Sequence, residues 1–92
     1  MIDHVSVGVA DIERATRFYE AAFAPLGLAK LFAMPATAAF GKTYPEFWIN
    51  LRAGMEPMPP HNGTHICLRA RTTDEVEAFY AAALAAGGTD DG

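Results

Sequence analysis

Two histidines, two arginines, a tryptophan and an asparagine supply most of the chemistry this sequence could perform. His4 and His65 each lead a run of alternating character, HVSVGV and HICLRA. In a strand, successive side chains point to opposite faces. Val5, Val7 and Val9 therefore share one face, and His4, Ser6 and Gly8 the other. The same rule sets Ile66 and Leu68 against His65, Cys67 and Arg69, and Phe47, Ile49 and Leu51 against Trp48, Asn50 and Arg52. One polar face thus collects the reactive side chains. Two imidazoles can bind Zn²⁺, Fe²⁺, Mn²⁺ or Ni²⁺, although a stable centre usually needs three or more protein ligands.

Arg52 and Arg69 carry the other signal. Two guanidinium groups on the inner face of an acidic chain fit an anionic group, a carboxylate or phosphonate held bidentately. A salt bridge to a cavity carboxylate, or a tip reaching solvent, is the competing reading, and both stay open. Trp48 either walls an apolar ligand or serves as an interface aromatic. Cys67 lies two residues from His65, a spacing that shares a face without forming a bond, so it reads as a buried bystander thiol. His61 reads as a loop residue.

These side chains need elements to hold them, and the elements come in a repeated order. A 61-residue offset brings His4 onto His65, Phe18-Tyr19 onto Phe79-Tyr80, and Gly27 onto Gly88. Self-similarity at a fixed offset points to a repeated structural unit. In the first copy a strand from Ile2 to Val9 leads into a helix capped by Asp11. Its apolar stripe is Ile12, Ala15, Tyr19, Ala22, Phe23 and Leu26, and Pro25 with Gly27 ends it. Strands then follow over 28–34, 37–42 and 46–53, with a bend or bulge expected at Gly41. The proline-rich stretch GMEPMPPHNG is a linker. In the second copy a strand over 65–70 precedes a helix with Thr72 and Glu75 as a capping box. Val76, Phe79, Tyr80, Ala83 and Leu84 form its stripe. The expected parsing is one domain over 1–92, with a first module at 1–54, a linker at 55–63 and an incomplete second module at 64–92.

Composition narrows the class. A hydrophobic share of 51% suffices for a packed core, which sets the chain apart from disordered sequences. A net charge of −4 argues against a nucleic-acid surface, since such surfaces cluster Lys and Arg. No apolar run approaches the roughly 20 residues of a membrane span. A lone cysteine cannot form an internal disulfide, and the expected home is the reducing cytoplasm.

A strand-leading histidine, V-x-D before a helix containing F-Y, and L-G at its end resemble the vicinal oxygen chelate superfamily. The residues carrying the likeness are His4, Val9, Asp11, Phe18-Tyr19 and Leu26-Gly27, then His65, Phe79-Tyr80 and Gly88. That superfamily includes glyoxalase I, extradiol dioxygenases and bleomycin- and fosfomycin-resistance proteins. The resemblance implies an α+β fold of paired βαβββ modules, a glyoxalase-like cupped sheet around a divalent metal, with the second module here reduced to βα. It also implies His4 and His65 as metal ligands. The family's first-module glutamate falls on Asn50, a neutral and weaker ligand. The second-module glutamate would lie after Gly92, and three further strands are expected there, or else a partner chain at the open edge, most simply in a homodimer.

Three functions compete on this sequence. One is a metal-dependent lyase, isomerase or dioxygenase acting on a small anionic substrate, with Trp48, Asn50, Arg52 and Arg69 around it. A second is a metal-free small-molecule-binding protein of the bleomycin-resistance type. The third is a scaffold whose groove serves dimerisation alone. The histidine pair favours the first and Asn50 the second.

Overall fold

The structure is a computed structural model that describes residues 1–59 and 62–90, so His61 and Pro60 of the linker lie outside the described residues. The alternating valines form strand β1 (Val5–Val9). Asp11 then accepts a hydrogen bond from the Arg14 backbone N–H at 3.0 Å and starts helix α1 (Ile12–Phe23). A 3-10 turn over Ala24–Leu26 carries the helix to Gly27, whose φ of 76° is the left-handed conformation that a glycine adopts without steric cost. Strands β2 (Ala29–Met34), β3 (Thr37–Gly41) and β4 (Phe47–Leu51) follow, and helix α2 (Thr73–Ala85) comes last.

The four strands form one mixed sheet in the order β1-β4-β3-β2. β1 runs parallel to β4, while β3 is antiparallel to both β4 and β2. The apolar stripe of α1 lies on this sheet. Phe23, Phe40, Phe47, Ile49 and Ala38 form the buried centre, and Val5, Val7, Val9, Ile12, Ala15 and Tyr19 pack around it. Four aromatic rings interlock there: Phe23 meets Phe40 and Phe47 edge-on at 5.5 and 5.0 Å, and Tyr19 sits 5.1 Å from Phe47. Burying each large side chain contributes about 1.5–3 kcal/mol, and the edge-on pairs add to that.

Three sequence expectations change. The ladder irregularity falls in β2, between Lys30 and Phe32, and not at Gly41. Gly41 instead lies where any Cβ would strike the Tyr44 carbonyl oxygen, so glycine there permits a close backbone approach. The segment 65–70, expected as a strand, makes no ladder pairing, yet Ile66 and Leu68 still pack against the core. Its alternation survives because burial of one face, and not pairing, holds it. Cys67 is exposed, because its neighbours Ile66 and Leu68 take the inward positions.

Helix α2 packs chiefly on α1 and the 3-10 turn. Thr72 caps it by accepting the Glu75 N–H at 3.1 Å. The return arm of the expected box reaches one residue further back: the Glu75 carboxylate accepts the Arg71 backbone N–H at 2.9 Å, with the Arg71 guanidinium 3.3 Å away. That backbone hydrogen bond, helped by the Arg71 charge, holds the Glu75 pKa below the ordinary glutamate value. Of the expected stripe, Phe79 reaches the core, while Val76, Tyr80 and Leu84 remain exposed. Among the described residues no helix is long and apolar enough to cross a membrane.

Candidate ligand-binding face

Strand register sorts the side chains on the sheet face opposite α1 into two rows. Ser6, Trp48, Ala39 and Phe32 lie side by side across β1, β4, β3 and β2. Gly8, Asn50, Thr37 and Met34 form the next row. Neither row contains an ionised group. The first is mostly apolar, and its Phe32 and Trp48 rings meet at 5.7 Å and 56° over a fully buried Ala39.

The second row is organised by the Asn50 amide. Its Nδ2 donates to Ser6 Oγ, and its Oδ1 lies 2.7 Å from Thr37 Oγ1. Thr37 Oγ1 is also 3.0 Å from the Ile49 carbonyl. The amide therefore bridges β1 to β3 across β4, and either orientation of its oxygen and nitrogen keeps a bond to each hydroxyl. The three neutral groups are thus linked to one another, with Ser6 Oγ as the acceptor at one end of the chain.

Arg52 follows β4 and lies at the end of this face. Its stem crosses the bare backbone of Gly8: a Cβ there would stand 3.1 Å from Arg52 Cγ and 3.3 Å from Met55 Sδ. The Nη1 group donates to the Leu51 carbonyl at 3.0 Å. Among the described residues no carboxylate forms an ion pair with Arg52 or Arg69.

Arg69 is elsewhere. With Cys67 it borders a cleft of about 330 Å³ shared with Val5, Phe40, Lys42, Glu46 and Phe47, at the start of β4 and on the helix side. The two arginines thus attend opposite ends of β4. His4 precedes β1, exposed, with Nδ1 2.9 Å from Asp3 Oδ1. His65 leads the unpaired segment and is also exposed.

The resemblance implies a divalent metal, and the donor set bears on it. Among the described residues no three His, Cys, Asp or Glu side chains assemble as a metal-holding group. The Asn50 amide, at the position of the implied glutamate, is neutral and already bonded on both sides. Asn50 as it stands here does not fit the ion as a ligand.

Two contributors, Phe32 and Thr37, escaped sequence reading. β2 is weakly patterned and bulged, so alternation does not reveal that Phe32 shares a face with Trp48. The one available signal for Thr37 was a hydroxyl residue opening a strand.

A strand-helix-strand-strand-strand unit with α1 on one face and an open, side-chain-lined sheet on the other defines a βαβββ module. A family model for the Glyoxalase/Bleomycin resistance protein/Dioxygenase superfamily matches residues 1–92, and the chain belongs to that superfamily. A crystal structure of a glyoxalase/bleomycin resistance protein from Albidiferax ferrireducens T118 is similar, with a TM-score of 0.83 and 30% sequence identity. The match covers 98% of this chain and 73% of that one. No curated protein gives a significant match.

Proposed function

We propose that this protein binds a small organic molecule on the open sheet face without a resident metal, in the manner of a bleomycin-resistance-type protein. One observation carries the reading: the side chain at the implied ligand position, Asn50, is a neutral amide spent on Ser6 and Thr37. An amide oxygen brings no negative charge to offset a dication, and ligand charge counts heavily in holding one. The same amide suits a binding surface, because it ties β1, β4 and β3 together in the row next to the Trp48–Phe32 pair. Superfamily membership supports small-molecule binding in general but names no reaction, since one scaffold hosts many chemistries.

Calorimetric titration with Zn²⁺, Fe²⁺, Mn²⁺ and Ni²⁺, together with elemental analysis of protein purified without chelator, tests this. The expected result is no stoichiometric metal and no saturable binding at micromolar concentrations. A retained equivalent of any of these ions would overturn the reading and favour a metal-dependent lyase, isomerase or dioxygenase.

A further inference from the structure

We infer that the open face takes a small aryl carboxylic acid, with its ring beside Trp48 over Ser6 and its carboxylate at Arg52. The inference rests on the preceding reading of this face as a ligand surface and adds the ligand's class. Phe32 packs on Trp48 from the β2 side, so the indole meets a ligand from the β1 side, where its register neighbour is only a serine. Ser6 Oγ already accepts from the Asn50 amide, and a ring laid beside it leaves that bond in place.

The anionic end follows from Arg52. One strand repeat of about 6.7 Å separates the Ser6 row from the Gly8 row, over which the Arg52 stem passes. That span matches a phenyl ring joined to a carboxylate through two carbons. Nη1 is held by the Leu51 carbonyl, which leaves the Nε–Nη2 edge to meet both oxygens of a carboxylate side-on. None of the eight residues in the two rows is acidic, so the face is neutral to positive on a chain whose net charge is −4.

Trp48 is the sole tryptophan, so its fluorescence reports on this face. The probes are 3-phenylpropionate, the neutral 3-phenylpropanamide and butyrate, titrated into wild type, Arg52→Lys and Arg52→Gln, with folding of each variant checked by circular dichroism. The acid is expected to quench Trp48 saturably and to bind about ten-fold more tightly than the amide, as a charged hydrogen-bonded pair would give. Butyrate is expected to bind more weakly than the aryl acid. Arg52→Gln, which keeps the stem over Gly8, should erase the acid–amide difference, and Arg52→Lys should restore part of it. Equal affinity for acid and amide, or acid binding untouched in Arg52→Gln, would overturn the anionic end. Butyrate binding as tightly as the aryl acid would overturn the aromatic end. Failure of all three probes to bind would overturn the whole inference. None of these outcomes touches the metal titration, so the two readings fail separately.

Discussion

Thr37 and Asn50 face one another across β3 and β4, with Thr37 Oγ1 2.7 Å from Asn50 Oδ1. The contact closes a hydroxyl–amide–hydroxyl chain that begins at Ser6 on β1. Asn50→Leu would remove both bonds and leave two hydroxyls under an apolar side chain. It is expected to cost about 1–3 kcal/mol, whereas Asn50→Asp, which can accept from both hydroxyls, should cost less. Urea denaturation of the two variants beside wild type measures the difference, and equal loss in both would remove the chain from any structural role.

The sheet was legible in residues of strict alternation, and the site only in part. VSVGV and FWINL announced the centres of β1 and β4 and their faces, because burying one face enforces a period of two. The strand expected from Ile2 begins only at Val5, however, and leaves His4 before it. The α1 stripe was equally plain, and Phe23 is buried where the spacing put it, whereas Val76, Tyr80 and Leu84 of the expected α2 stripe stay exposed. What the sequence hid were relations between strands. Nothing in KLFAM announces a bulge that turns Phe32 toward Trp48. Nor does alternation say that Arg69, on an unpaired segment, lies at the other end of β4 from Arg52. Alternation locates a face within one strand, whereas pairing register alone decides which faces meet.

Gly41 offers a sharp test of close packing. A methyl group at this position would meet the Tyr44 carbonyl oxygen, which is backbone and cannot swing aside. The neighbouring Glu46 N–H donates to the Phe40 carbonyl at 2.9 Å and closes the base of the loop. Gly41→Ala is expected to destabilise the fold by about 2–3 kcal/mol. A thermal melt matching wild type would show that the loop shifts freely.

Glu75 should titrate below the ordinary glutamate value, first because it accepts the Arg71 backbone N–H and then because of the Arg71 charge. A depressed carboxylate contributes stability that is present above its unfolded pKa. That contribution is lost as pH falls through the lower, folded value. Glu75→Gln should therefore flatten the acid side of the stability profile and leave its slope near neutrality unchanged. Side-chain carbonyl chemical shifts followed by NMR across acid pH would read the pKa directly.

Tyr19 moves in the opposite direction. Burial among the core rings raises its phenol above 10.0. Its folded form holds the proton at pH values where the unfolded chain releases it. Stability is therefore intact below the unfolded value and declines as pH rises through that value toward the folded one. Tyr19→Phe should lessen this alkaline loss, and denaturant midpoints at neutral and strongly alkaline pH would show whether it does.

The exposed face of α2 leads to the last expectation, which concerns association. Val76 and Tyr80 are 54% and 49% exposed, and Tyr80 lines a groove with Leu84 and Phe18. β1 lies at one edge of the sheet, so its outer ladder groups lack a neighbouring strand among the described residues. An exposed sheet edge and an apolar helix face each favour pairing with another chain. Fully burying a large apolar side chain is worth about 1.5–3 kcal/mol, so covering these half-exposed ones together is worth a sizeable fraction of the stability of a small domain. We therefore expect the 92-residue chain to self-associate at micromolar concentrations and its melting temperature to rise with concentration. Val76→Lys, on the solvent side of α2 and away from the buried ring cluster, should weaken association without lowering the stability of the monomer. Sedimentation velocity over a hundred-fold concentration range decides the matter. A single monomeric species throughout, melting at one temperature, would show that neither the helix face nor the β1 edge seeks a partner.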